Sequence, residues 1–370
     1  MTRSSHAGET LAPAGNRITD VVGIEVGHAY RIDDDAVVAS PDDGVEGRGW
    51  ATGTTVVRIA SCAATCAVDV RGGGPGTRET DLLDPVNTVQ TAHAIVLSGG
   101  SAYGLAAADG VMAGLEESGS GLAMDTAGHV VPIVPAAVVF DLPVGAWDHR
   151  PDAAFGREAL SAASAEVAVG SVGAGAGARA GALKGGVGTA SIVIEHGPAA
   201  GVTIGALMVA NPVGAVIDPA TGLPWSVTAA DAAHHGLVAP VSAEIRRHAE
   251  LAAKQSVLNT TIGVVATDAA VDSASLKRVA MAGHDGLARA IVPAHSPLDG
   301  DTIFAVATGD RRIERVAEVP AGMNPDVAVV AEVSRVAAIV VQRAIVNAVI
   351  SARSVAGIPS FVEVLPSALS

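Results

Sequence analysis

The chain holds 370 residues, 49% hydrophobic but only 2% aromatic, with 38 acids against 23 bases and a net charge of −15. That length builds one large domain or two smaller ones, and the apolar content comes from alanine and valine, so the core is made of small, closely packed side chains. With no basic run and no series of stacking aromatics, the composition argues against a nucleic-acid or anionic-membrane partner.

No uninterrupted apolar stretch reaches about 18 residues, so no membrane span is expected. The segment Met1 to Asp20 is polar and lacks the apolar centre of a secretory signal, which predicts a cytoplasmic protein. Residues 1–16 read as a mobile arm and 17–370 as a single domain. Strands are expected at Val21 to Val26, Thr54 to Ile59 and Thr65 to Val70, ahead of the sharp loop Arg71-Gly72-Gly73-Gly74-Pro75-Gly76-Thr77. Cys62 and Cys66 have no second ligand pair for zinc and read as small buried thiols.

A strand at Ala94 to Leu97 runs into Ser98-Gly99-Gly100-Ser101. A helix follows from Ala102 to Glu117, with Leu105, Val111 or Met112, and Leu115 near helical spacing and Ser118-Gly119 ending it. Tyr103 stands where a G-x-S-x-G nucleophile turn needs glycine, so Ser101 does not fit that motif. The Gly/Ala tract from Val167 to Val187 lacks the third glycine of G-x-G-x-x-G and any Walker lysine, and reads as a close backbone wall carrying Lys184.

Strands at Ser191 to Glu195 and Gly205 to Val209 lead to Asn211-Pro212. A helix from Ala243 to Ser256, with an exposed and mobile end, precedes Leu258-Asn259-Thr260-Thr261-Ile262. After a strand at Thr261 to Ala266 comes a helix capped by Asp272 or Ser273 that buries Leu276, Val279, Ala280, Leu287 and Ile291. The strand Thr302 to Ala307 and a long helix from Pro325 to Arg353 close the chain. His234, His235 and His248 have no matched acidic set for a metal and read as surface histidines; neither metal nor cofactor is expected.

The chemistry centres on Asn259-Thr260. A threonine opening an apolar β-branched run has its hydroxyl beside the preceding carbonyl. Cleavage there would free an α-amine of pKa roughly 7.7–8.0, giving one residue both nucleophile and base. On those residues alone, an ordinary loop-to-strand junction is the favoured reading. Asn211 before proline is both a possible oxyanion donor and an ordinary turn starter, and Asp299-Gly300-Asp301 is both a carboxylate pair and a turn.

Four segments, in order, resemble the DmpA-type (L-aminopeptidase D-Ala-esterase/amidase) peptidases: Ser98-Gly99-Gly100-Ser101-Ala102-Tyr103-Gly104-Leu105, Val209-Ala210-Asn211-Pro212-Val213-Gly214, Leu258-Asn259-Thr260-Thr261-Ile262, and Asp299-Gly300-Asp301-Thr302-Ile303-Phe304-Ala305-Val306. The match is closer to the branch cut at Asn-Thr, which includes nylon-oligomer hydrolases. The resemblance implies an α/β (α+β) fold, a four-layer αββα sandwich, self-cleaved into chains 17–259 and 260–370. It implies Thr260 as nucleophile, Asn259 as donor of the cut carbonyl, Asn211 as oxyanion donor, Lys184 as a polar partner near the nucleophile, and Asp299 with Asp301 as orienting carboxylates. It also implies a small peptide or amide substrate and a homo-oligomer, a tetramer of cleaved protomers.

Tyr103 and Phe140 are candidates for the substrate pocket. Phe140 stands where nylon hydrolases carry tyrosine, so a hydroxyl is missing. Two other functions remain open at this stage: acyl transfer to an amine, as in the similarly folded ornithine acetyltransferases, and a non-catalytic ligand-binding homologue.

Overall fold

The computed structural model describes residues 15–60, 63–225, 227–252, 260–313 and 319–369. Two sheets lie face to face. The first orders its strands Ile24–Ile32, Ala51–Ile59, Ala94–Ser98, Ala136–Val138 and Thr77–Arg78. The second runs Gly186–Val193, Thr203–Ala210, Ile262–Ala269, Thr302–Arg311, Ala64–Val70 and Thr91–Ala92.

Alternation along each strand builds the layers. Val57, Ile95, Leu97, Leu207, Val209, Val264, Phe304 and Val306 meet between the sheets. Their neighbours Ile204, Ala206, Met208, Val265, Ile303 and Ala305 face the opposite way, against the helices Ser273–Ala290 and Val327–Ile350. The first sheet presents Val56, Ala94 and Val96 to the helices Ala107–Glu117 and Ala153–Ser161. Helix, sheet, sheet, helix is the expected four-layer arrangement.

Small residues set the spacing. A Cβ on Gly286 would lie 2.1 Å from the Ala338 carbonyl oxygen, so the two long helices touch backbone to backbone. Gly188 stands in the same relation to Ala344, at 2.0 Å. This explains why the strand Gly186–Val193 reaches back into a tract that reads as featureless glycine and alanine. Val327–Ile350 is long and apolar enough to cross a membrane by length and composition, and here Val333, Val336, Val340 and Val341 lie within the core.

Several boundaries differ from expectation. The first strand starts at Ile24 rather than Val21, because Gly23 turns the chain with φ +87° after a short 3-10 turn at Ile18–Asp20. The helix expected over Ala102–Glu117 begins as a 3-10 turn, Ser101–Ala106, and becomes regular at Ala107. Asp272 rather than Ser273 caps the next long helix, accepting from Ser275 N at 2.7 Å. His248 is buried, not a surface residue. Cys66 is a buried thiol whose pKa burial pushes up to about 12, while Cys62 lies outside the described residues. The expected mobile arm up to residue 14 and the end of the helix Ser242–Ala252 beyond 252 also lie outside them.

Candidate active site

The strands Ile262–Ala269 and Thr302–Arg311 pair in parallel, with Ile262 opposite Thr302. Their entry ends therefore coincide, which brings Thr260 beside the turn Asp299-Gly300-Asp301 across 40 residues of chain. Thr260 is buried, and its Oγ1 accepts a hydrogen bond from Gly300 N at 3.1 Å. Thr260 N donates to the Asn211 carbonyl at 2.6 Å. Asn259 lies outside the described residues.

Gly300 is needed at its position. A Cβ there would stand 3.1 Å from Thr260 Oγ1, 2.8 Å from Gly74 O and 3.0 Å from the Pro75 Cα. Gly72 is tighter still, since its Cβ would come within 2.1 Å of Asp299 O. The glycine loop thus lies directly on the aspartate turn, tied by Arg71 N to Asp301 O at 2.9 Å and Gly74 N to Asp299 O at 2.8 Å.

Apart from the His295 ring, the two aspartates bond to backbone amides. Asp301 Oδ1 accepts from Thr261 N at 2.8 Å, while Oδ2 accepts from His295 N at 3.2 Å and pairs with His295 Nδ1 at 2.8 Å. Asp299 Oδ1 accepts from Val213 N at 3.3 Å and Oδ2 from Ser296 N at 2.9 Å. Burial, then the neighbouring Asp301 charge, raises the Asp299 carboxyl above the ordinary range. The carboxylates hold the frame around Thr260, including the amide just after it. His295 had no motif to reveal it; its role comes from the fold.

Asn211 is buried with its amide fixed in sense. Its Oδ1 accepts from Arg179 N at 2.8 Å, so Nδ2 must be the donor, directing one hydrogen to Phe140 O at 3.3 Å. The second Nδ2 hydrogen is what an oxyanion can use.

Lys184 is fully buried. Its Nζ donates to the carbonyls of Gly175 and Ala178 at 2.7 Å each and of Gly185 at 2.9 Å. These three bonds all go to the glycine tract and none to Thr260, so Lys184 pins the wall that the tract forms. Burial lowers its pKa to about 7, opposed by the charge of Asp141. Asp141 is a residue that sequence reasoning missed. Its carboxylate accepts from Gly100 N at 2.6 Å and Thr52 Oγ1 at 2.7 Å, and burial pushes its pKa up to about 6.

A cleft of about 290 Å³ opens on Thr260, lined by Gly74, Pro75, Gly76, Ser101, Ala102, Val138, Phe140, Pro297 and Leu298. The lining carries no charged side chain, which suits an aliphatic chain. Phe140 lies there as expected. From the Gly100-Ser101 turn the cleft takes Ser101 and Ala102; Tyr103 is instead 56% exposed beneath the Arg150 guanidinium. A larger cavity of about 410 Å³ sits between the long helices and contains none of these groups.

Comparison with known proteins is consistent with this arrangement. The model of Peptidase family S58 matches residues 16–361. A protein named as an uncharacterized aminopeptidase of Mycobacterium tuberculosis H37Rv is 53% identical over 357 residues, 95% of this chain and 99% of its own. A 6-aminohexanoate-oligomer endohydrolase of a Kocuria species is 34% identical over 274 residues, 70% of each chain. A Burkholderia β-aminopeptidase superposes with a TM-score of 0.65 at 24% identity, covering 95% of this chain and 92% of that one. The L-aminopeptidase D-Ala-esterase/amidase of Ochrobactrum anthropi, described as a variant of the Ntn hydrolase fold, does so with a TM-score of 0.65 at 22% identity, covering 93% and 88%.

Proposed function

Since the chain belongs to peptidase family S58 and is a peptide hydrolase, we propose that it cuts itself at Asn259-Thr260 and then hydrolyses small peptides or ω-amino-acid amides. The observation that carries this reading is a buried threonine hydroxyl 3.1 Å from an N–H donor, at the wall of an uncharged cleft.

Self-cleavage proceeds by an N–O acyl shift. Thr260 Oγ1 attacks the Asn259 carbonyl, the peptide C–N bond breaks, and the nitrogen leaves as the α-amine of Thr260. Water then hydrolyses the ester, releasing the Asn259 carboxylate and restoring the hydroxyl. The amine inherits the bond from Thr260 N to Asn211 O, which holds it in place beside its own hydroxyl.

Turnover repeats the attack on a substrate carbonyl. The α-amine takes the hydroxyl proton and returns it to the leaving amine, and water resolves the acyl ester. Asn211 Nδ2 is the assigned oxyanion donor, held in the donating sense by Arg179 N. Lys184 and Asp141 keep the glycine tract and the Gly100 turn in place behind it. The proposed working form is a homo-oligomer of cleaved protomers.

Denaturing intact-mass spectra of freshly purified wild type and Thr260→Ala test the reading. Wild type should give chains 1–259 and 260–370, with Thr260→Ala uncut and inactive. Cleavage in both samples, or activity in pure Thr260→Ala, removes Thr260 from the proposed role.

A further inference from the structure

Only nine of the 370 residues are Phe, Trp or Tyr, and three of these lie at the Thr260 cleft or next to residues that line it. Phe140 lines it, Trp147 meets Phe140 edge-on with ring centroids 6.5 Å apart, and Tyr103 follows the cleft residues Ser101 and Ala102. Trp147 and Tyr103 are each 56% exposed. Apolar rings left in water at a cleft mouth are what a ligand-facing rim looks like.

Arg150 lies against Tyr103. Its guanidinium carbon lies 3.9 Å from the Tyr103 ring centroid, and no ion pair or hydrogen bond engages the side chain among the described residues. Stacking on tyrosine fixes the plane of the guanidinium and leaves its N–H donors unspent. Asp148 and Asp152 flank it in sequence. Asp152 is occupied as the cap of the helix Ala153–Ser161, accepting from Ala154 N and Phe155 N, and Asp148 is exposed.

The segment holding Arg150 is anchored on both sides. Ala146 N donates to Gly49 O at 2.8 Å, and the His149 ring stacks on Trp50 with centroids 4.3 Å apart. Pro151 packs so closely on Gly100 that a Cβ there would meet its Cδ at 2.9 Å. Arg150 is therefore presented at the Gly100-Ser101 edge of the cleft by a fixed scaffold.

Resting on the hydrolase reading, we propose that Arg150, with Tyr103 and Trp147, forms a subsite for a substrate carboxylate. A cleft with an uncharged wall and a single oriented guanidinium at its rim selects an aliphatic chain ending in an anion. In a free peptide or ω-amino-acid oligomer, the carboxylate always belongs to the amine side of the scissile amide. The subsite therefore holds the leaving group, and places the cut close to the free carboxyl end of a short substrate rather than within a long neutral chain.

Titration calorimetry of wild-type protein with hexanoate and hexanamide reads the subsite without requiring turnover. Hexanoate should bind about ten-fold more tightly, about 1.4 kcal/mol, with the preference lost in Arg150→Met and partly kept in Arg150→Lys. Equal affinities, binding of neither probe, or a preference that survives in Arg150→Met overturns the proposal. In kinetics, a free-carboxyl amide should outperform its C-terminal amide through KM, and Arg150→Met should erase that ratio. A protein that prefers hexanoate through Arg150 yet hydrolyses neither amide keeps the subsite and loses the hydrolase reading instead.

Discussion

Gly72 and Gly74 lie two residues apart in the loop that rests on the Asp299–Asp301 turn, and they should respond very differently to a single methyl group. A Cβ on Gly72 falls 2.1 Å from Asp299 O, 2.5 Å from Asp299 C and 2.4 Å from Asp301 N, all backbone atoms. Ordinary contact begins at 3.4 Å, so Gly72→Ala must part loop and turn by about 1.3 Å. That displacement breaks the bonds from Arg71 N to Asp301 O and Gly74 N to Asp299 O, and pulls Gly300 N away from Thr260 Oγ1. Two or three bonds at about 1 kcal/mol each, with residual overpacking, put the cost at about 3 kcal/mol. A shift of this size beside Thr260 should lower turnover about 100-fold and slow the proposed self-cleavage similarly. Gly74→Ala is the matched comparison, since its added Cβ finds nothing nearer than 3.7 Å and should stay within about 0.5 kcal/mol of wild type. Thermal melts give the stability difference, and a time course for the appearance of the Thr260 N-terminus gives the cleavage rate. A Gly72→Ala protein that melts and cleaves like Gly74→Ala would refute the claim that this glycine seats the aspartate turn.

Asn211→Ala removes the assigned oxyanion donor and should lower kcat by about 10²–10³; steady-state kinetics with unchanged kcat would reject the assignment. Lys184 gives a pH signature. With its folded pKa lowered to about 7 from 10.5, the native chain binds fewer protons than the unfolded chain between those values, so this group's contribution to stability rises with pH across that window and is lost as pH falls through 7. Wild type should therefore gain about 2 kcal/mol over Lys184→Met between pH 6.5 and pH 9, and unfolding free energies that keep a constant gap would contradict the buried ammonium. Gly114→Ala, inside the helix Ala107–Glu117, meets only the Leu160 Cδ2 tip and should stabilise by about 0.5–1 kcal/mol, read as a raised melting temperature.

What the sequence made visible was local. Thr260, Asn211 and the Asp299-Gly300-Asp301 turn stand in short motifs beside strands of clear apolar pattern, and the structure brings them together. Asp141, His295 and the Gly300 amide were not legible, because each takes its role from a partner elsewhere in the fold. Asp141 meets Thr52 from 89 residues away, and no spacing rule connects them. Lys184 was visible as a charge in a glycine tract, but its three carbonyl partners depend on how that tract folds around it. The strand Gly186–Val193 hid for another reason: glycine at 186 and 188 breaks the β-branched pattern, and its purpose is the close approach of a helix backbone. Tyr103 was singled out for the cleft wall, yet the 3-10 turn that begins at Ser101 rotates it outward to the rim.

The order of strands in the second sheet bears on what a cut before Thr260 would release. Ile262–Ala269 and Thr302–Arg311 are neighbours, bordered on one side by Thr203–Ala210 and on the other by Ala64–Val70. The two strands that follow the cut are thus sewn between two that precede it. A severed chain of this topology keeps its smaller fragment as an interior panel, held along both long edges by antiparallel ladders. Freeing that fragment would require unzipping the middle of the molecule, so the new terminus can be created without the two pieces ever needing to find each other again.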